Sequence, residues 1–233
     1  MKLEKVTEKL PSKKRRWYDD ACGTAMALEL IGERWALMVV RELMFGPRRF
    51  GDIRFALPGL SANILTQRLE GLEESGILIK RRLPPPVSAQ VYELTPWGHD
   101  IEPIIKEMGR WAIRSPEHDP SQSLSAASLM MSFRTMLRPD RAHLPVRRLG
   151  FVMDGDSFVG VLDVDGFDIG RGPTVDCDFV LTGSPVAIAS IVYGGRAIAD
   201  AESSGDLKIE GNRDYLETFV TLFPLPPKVV RAD

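Results

Sequence analysis

The chain has 233 residues, of which 44% are hydrophobic and 27% charged, with a formal net charge of −2. That length suits one large domain or two ordinary ones, and the composition excludes disordered, collagen-like and coiled-coil classes. No apolar run approaches the roughly 18 residues of a membrane span, residues 1–20 lack the apolar stretch of a secretory signal, and two cysteines, Cys22 and Cys177, cannot build a disulfide framework. A cytoplasmic protein without a membrane partner is the expectation. The charge is uneven: residues 1–114 hold 19 Lys and Arg against 15 Asp and Glu, a balance of +4, and residues 115–233 hold 11 against 17, a balance of −6. Such a split points to a polyanion-binding part joined to a unit of another kind.

In chain order, residues 1–20 are polar and carry the basic run Lys13-Lys14-Arg15-Arg16, which suits either phosphate contacts or a solvated arm. Residues 24–45 read as one long, largely apolar helix stopped by Gly46-Pro47. A short helix follows at 48–56 with Phe50, Ile53 and Leu57 turned inward, then a Pro58-Gly59 turn, then a helix over 61–74 capped by Ser61 and ended by Gly76. Residues 77–82 and 90–94 alternate as strands around Pro84-Pro85-Pro86, a hairpin. Thr95-Pro96 opens a further helix whose apolar residues Ile101, Ile104, Ile105, Met108 and Ala112 keep a helical period. The Ser- and Pro-rich stretch 115–125 is the expected linker.

Beyond it, 126–137 reads as an amphipathic helix, 149–153, 157–164 and 174–181 as strands, and two strand-to-helix units follow. One runs from 179–181 through Gly183-Ser184-Pro185 to Gly194-Gly195. The other runs from 207–209 through Gly211-Asn212 into a helix at 213–223. Asp165-Gly166 is a hairpin turn signal. The stretch from Asp163 fails as a calcium loop, because its twelfth position is Thr174 rather than Glu. Cys177, between Asp176 and Asp178, reads as a core residue of a strand. His143 has no catalytic company in sequence, so no catalytic residue, metal or cofactor is expected, and an enzyme is the weakest of the readings.

Helix, helix, Pro-Gly turn, helix, hairpin is the order of a winged helix-turn-helix, in which the helix after the turn enters the major groove. On the 61–74 helix, Leu65, Leu69 and Leu72 share one side and Asn63, Gln67, Glu70 and Glu74 lie opposite. Asn63 and Gln67 carry amides that bond adenine bidentately, and Thr66 suits a thymine methyl or a phosphate. Ser61 stands at the helix start. Arg68 lies nearer the leucines, which fits a phosphate or structural role. Arg48, Arg49 and Arg54 before this helix, and Lys80, Arg81 and Arg82 after it, are candidates for phosphate contacts, with solvated surface charge as the alternative for each.

The same stretch resembles the HxlR-type bacterial transcriptional regulators. The resemblance is carried by Cys22-Gly23-Thr24, Leu30 to Trp35, Arg41-Glu42-Leu43, Gly46 to Ile53, Leu57 to Ser61, Leu65 to Leu69, Leu72 to Gly76, Tyr92 to Thr95 and Gly98, over about residues 18–114. It implies a homodimer binding a pseudo-palindromic operator, with residues 17–30 and 97–114, Trp111 among them, in the dimer interface. It also implies that Cys22 either senses oxidants or electrophiles or is a packed small residue. The wing departs from the family pattern: Val87-Ser88-Ala89 stands where Pro-Pro-Arg is common, so a wing arginine contact is not carried over.

Residues 126–226 resemble a sterol-carrier-protein-type domain through Phe179 to Leu181, Gly183-Ser184-Pro185, Ile188, Tyr193-Gly194-Gly195, Leu207 to Asn212 and Leu216 to Phe223. That resemblance implies a small apolar ligand held between sheet and helices. The overall expectation is an α+β chain: a winged helix-turn-helix DNA-binding and dimerisation domain (1–114), a linker (115–125), and a sterol-carrier-like domain (126–233) for effector binding or assembly. A lipid or acyl-ligand carrier whose helix-turn-helix only dimerises is the alternative.

Overall fold

The structure is a computed structural model and describes residues 18–85, 88–140 and 144–230. The basic run 13–16, Trp17, Pro86, Val87 and His143 fall outside these residues. Among the described residues, no helix is long and apolar enough to cross a membrane.

The expected long helix at 24–45 is two helices, α1 (Gly23–Ile31) and α2 (Ala36–Leu43). Gly32 ends the first, and Trp35 precedes the second in a left-handed conformation, φ 79°. A bulky residue adopts that region only where surrounding contacts hold it. Here the break turns the carbonyl of Arg34 outward to accept the Nε–H of Arg68 at 3.0 Å, while Glu33 pairs with the same guanidinium at 2.9 Å. Tertiary contact overrides the helical period.

Next come α3 (Phe50–Ala56) and α4 (Ala62–Glu74), separated by a turn in which Gly59 takes φ +86°. The Ser61 hydroxyl oxygen accepts the amide of Ile64, satisfying one of the free N–H groups at the start of α4. The strands β1 (Leu78–Arg82) and β2 (Gln90–Leu94) pair antiparallel, Leu78 opposite Leu94 and Arg82 opposite Gln90. Arg48 adds a backbone bridge to Tyr92, tying the α2–α3 turn to the wing. A one-turn helix, α5 (Pro96–His99), precedes α6 (Glu102–Ala112). Gly98 is required where it stands, because a Cβ there would overlap the carbonyl oxygen of Ile77.

The second half is α+β. Helix α7 (Ala126–Met136) leads into β3 (Arg147–Met153), β4 (Asp156–Leu162) and β5 (Phe167–Arg171), an antiparallel meander. The β3–β4 turn is Asp154-Gly155, both with positive φ. In the β4–β5 turn the Asp163 carboxylate accepts the amides of Asp165 and Gly166. The chain then crosses to β6 (Phe179–Gly183), parallel to β3, passes through α8 (Pro185–Val192) and α9 (Ile198–Ser203), and returns in β7 (Leu207–Gly211), giving the order β5-β4-β3-β6-β7. Helix α10 (Arg213–Phe219), capped by Asn212, closes the unit.

Two expectations need correction here. The strand before β6 is 167–171, and 174–178 is not a strand. Asp176 there is left-handed (φ 53°), and Asp178 instead exchanges hydrogen bonds with Arg148, its carboxylate accepting the Arg148 amide at 2.8 Å. Cys177 is therefore a half-buried loop residue.

Helix α7 is the hub of the molecule. Leu129, Met130 and Phe133 are fully buried, and the helix packs on α2 and α6 on one side and on β5 and α8 on the other. One hydrophobic core thus runs without interruption from Val39 of α2 to Phe223. Ser125, which caps α7, also donates its hydroxyl to the buried Glu42 of α2 at 2.7 Å.

Candidate nucleic-acid interface

The α4 helix presents two faces that differ in chemistry. Leu65, Leu69 and Leu72 are buried against the core, while Asn63, Thr66, Gln67, Glu70 and Glu74 are exposed. The amides of Asn63 and Gln67 stand one turn apart near the N-terminal end, where the helix dipole favours phosphate. Glu70 and Glu74 carry negative charge toward the other end, so the N-terminal half is the part suited to lie against DNA. Thr66 uses its hydroxyl on the Ala62 carbonyl, 3.0 Å, which leaves its methyl as the group available to a base.

The flanking cations divide into three groups. Arg49 and Arg54 on α3 and Arg82 on β1 are exposed, with no ion-pair partner among the described residues. Lys80 pairs with Glu73 at 3.2 Å and Arg81 with Glu93 at 2.8 Å, both at the surface, and the Glu73 contact holds the Lys80 ammonium above its ordinary value. Exposed pairs of this kind contribute about 0–1 kcal/mol, so exchanging the carboxylate for a phosphate oxygen is inexpensive.

The third group faces away from DNA. Arg48 is 7% exposed, and its guanidinium pairs with Asp156 at the start of β4. It is not placed for a phosphate: its extended chain crosses to the second half, drawn by a carboxylate 108 residues away. Arg68 is held by Glu33 and the Arg34 carbonyl, so its role is to fix α4 to the α1–α2 joint.

The Arg48–Asp156 pair belongs to a set of contacts that sequence reading did not find. Arg171 at the end of β5 approaches Asp156 at 3.6 Å and donates to the carbonyl of Glu42 at 3.2 Å, and its amide donates to the carbonyl of Phe45. Burial, with Arg48 alongside, pushes Arg171 down to about 10, so it stays charged at neutral pH. Together these groups pin β4 and β5 onto the α2–α3 turn. The available signal was Glu42 itself, an acid amid the apolar stretch of α2.

Cys22 is exposed at the start of α1. The amide and hydroxyl of Thr24 and the amide of Ala25 stabilise its thiolate and lower it from the ordinary thiol value, whereas burial pushes Cys177 up. A lowered value means more thiolate at a given pH below the ordinary one, and thiolate is the nucleophile. Iodoacetamide at pH 7.5, followed by peptide mass spectrometry, is expected to label Cys22 well before Cys177, and Thr24→Val is expected to slow it. Faster labelling of Cys177 contradicts this assignment. Among the described residues, no group of three or more His, Cys, Asp or Glu is placed to hold a metal ion.

Apolar side chains are also exposed. On α6, Ile104 (48%), Met108 (49%) and Trp111 (78%) recur at helical spacing, and no residue of that helix is buried. Tyr18, Met26 and Leu28, before and on α1, are exposed as well.

Helices α2, α3 and α4 with the β1–β2 wing make the first half a winged helix-turn-helix, a module built to set one helix into the major groove. The model of the HxlR-like helix-turn-helix family matches residues 30–119. YvaP of Bacillus subtilis (strain 168), an uncharacterized HTH-type transcriptional regulator, is 37% identical over 87 residues, which are 37% of this chain and 80% of that protein. YodB, an HTH-type transcriptional regulator of the same organism, is 35% identical over 86 residues, 37% of this chain and 77% of that protein. The solved structure of reduced YodB superposes with a TM-score of 0.39 at 32% identity, covering 43% of this chain and all of that one. The chain belongs to the HxlR-like helix-turn-helix family. The family model ends at residue 119, so the five-stranded sheet lies beyond it.

Proposed function

We propose that the protein is a transcriptional regulator that binds operator DNA as a homodimer. Asn63 and Gln67 read base edges, and Thr66 lies against a base or sugar. Ser61, Arg49, Arg54, Lys80, Arg81 and Arg82 contact phosphate. The single observation that carries this reading is the outward amide face of α4, flanked by Arg49, Arg54 and Arg82, which no carboxylate among the described residues neutralises. Five cations per protomer set the scale of the salt response. At a slope of about −0.9 per phosphate, a dimer approaches roughly −9 in log K against log salt.

The exposed apolar faces of α1 and α6 support dimerisation through 18–30 and 97–114. The division into a DNA-binding and dimerisation unit (1–114), a connector (115–125) and a second unit (126–233) assigns effector binding or assembly to the latter. Its reading as a sterol-carrier-like domain rests on the Ser184-Pro185 helix start and the strand-to-helix passage through Gly211-Asn212. Cys22, exposed and thiolate-favouring within the α1 segment, is proposed as a redox or electrophile sensor acting on that dimer face.

The test separates base readers from positioning residues. Asn63→Ala and Gln67→Ala are each expected to weaken the selected operator by about 1–3 kcal/mol, roughly 5- to 150-fold, and to leave binding to mixed-sequence DNA nearly unchanged. Arg82→Gln is expected to weaken both DNAs alike and to flatten the salt slope by about one. Equal loss on both DNAs for Asn63→Ala and Gln67→Ala overturns their assignment as base readers.

A further inference from the structure

The place where an apolar ligand was expected, between sheet and helices of the second half, is filled by rings. The Phe133 ring lies 4.7–6.3 Å from those of Phe151, Tyr193, Phe219 and Phe223, and Phe219 also meets Phe179 at 5.4 Å. Open volume exists instead at the junction of the two halves. A cleft of about 710 Å³ lies between the last turn of α6, the end of α7 and the segment 224–226.

The cleft has an apolar floor and a cationic rim. Trp111, Met136 and Leu225 line it, and Trp111 and Leu225 are 78% and 45% exposed, so neither is used up in the core. Arg110, Arg114 and Arg138 stand around it, and the lining carboxylate, Glu107, is already paired with Arg110. Asp140 approaches Arg138 at 3.5 Å, and with it counted the rim still has one positive charge in excess.

The third wall is fastened rather than loose. The Lys228 ammonium donates to the carbonyls of Ile113 (3.0 Å) and Ser115 (2.9 Å), and the Val229 amide donates to the Arg114 carbonyl at 2.8 Å. Those bonds cap the C-terminal end of α6, where cations are favoured, and hold 224–226 against it. Arg114 uses its Nε–H on the Pro227 carbonyl at 3.4 Å. A concave apolar surface of this volume with a few convergent polar groups is the usual form of a small-molecule site.

We propose that this cleft binds a small amphipathic carboxylate, an aryl or short acyl acid, with its carbon skeleton on Trp111 and Leu225 and its carboxylate toward Arg114 and Arg138. Resting on the regulator reading, this is the effector position. The helix that forms one wall carries Ile104 and Met108 for the dimer, so an occupant that favours one placement of α6 favours one spacing of the two α4 helices. Such an effector acts by its difference in affinity between the two arrangements.

Isothermal titration of the full chain with phenylacetate and hexanoate, each beside its neutral amide, tests the site without DNA. At least one carboxylate is expected to bind saturably, its amide about tenfold or more weaker. Leu225→Asp and Arg114→Gln, both at exposed positions, are each expected to weaken the carboxylate by about tenfold or more with the circular dichroism spectrum unchanged. No saturable binding of either acid, equal binding of acid and amide, or unaltered binding in both variants overturns the proposal. So does a finding that Leu225→Asp abolishes dimerisation while neither acid binds, which makes the cleft a contact between two copies. Operator binding measured without either acid tests the regulator reading separately, so the two fail independently.

Discussion

Phe133→Ala is expected to destabilise the whole chain by about 3–5 kcal/mol, the range for removing a fully buried phenylalanine. The ring has no exposure and meets four other aromatic rings, so its removal leaves a cavity that the rigid sheet on one side and α6 on the other cannot collapse. For a chain of this size, about 2–4 °C per kcal/mol gives a fall in Tm of roughly 6–20 °C. The distribution of the effect is more informative than its size. All four tryptophans, at positions 17, 35, 97 and 111, lie in the first half, and Trp35 packs against the core. Because α7 joins that core to the sheet, tryptophan fluorescence and far-ultraviolet circular dichroism are expected to melt together in the variant, at the same lowered temperature. A fluorescence midpoint that stays at the parental value while the dichroism midpoint falls contradicts a shared core.

The second large effect is on assembly. Ile104→Glu combined with Met108→Glu places two carboxylates on the exposed apolar stripe of α6. Neither side chain is buried, so stability is expected to hold. Sedimentation velocity is expected to show the parent at twice the 25.9 kDa chain mass and the variant at the chain mass itself. Operator affinity is expected to fall by about 10²–10⁴, because the second half-site ceases to be an intramolecular contact. A parent that sediments as a monomer at micromolar concentration, or a variant that remains a dimer, contradicts the role given to α6.

Much of the first half was legible in the sequence, for local reasons. The outward amides of α4 followed from a helical period anchored by Leu65, Leu69 and Leu72 and from a cap at Ser61, and all of these are neighbours in sequence. The hairpin at Asp165-Gly166 was legible for the same reason. What escaped depended on partners far along the chain. The α1–α2 joint exists because Arg68 takes the Arg34 carbonyl, and no property of residues 32–35 alone announces that contact. Arg48 shares charge and neighbourhood with Arg49, yet one is buried on Asp156 and the other exposed, and only the fold distinguishes them. The strand pattern at 174–181 ran too far back because Asp176 and Asp178 leave the ladder through backbone conformation and side-chain bonding, while Phe167 and Ile169 supply the buried alternation of the true strand. The short α9 had only Ala201 to bury, too little apolar signal to separate it from a turn.

Selection of duplexes from a random-sequence pool on the full chain, with the affinity of the winner measured across salt concentrations, tests the central claim most directly. The account predicts an inverted pair of half-sites with centres one DNA turn apart, about 10–10.5 base pairs, or a multiple of that, bound far more tightly than mixed-sequence DNA and weakening steeply with salt. A pool that yields no shared sequence, with affinity no greater than for mixed-sequence DNA, contradicts it.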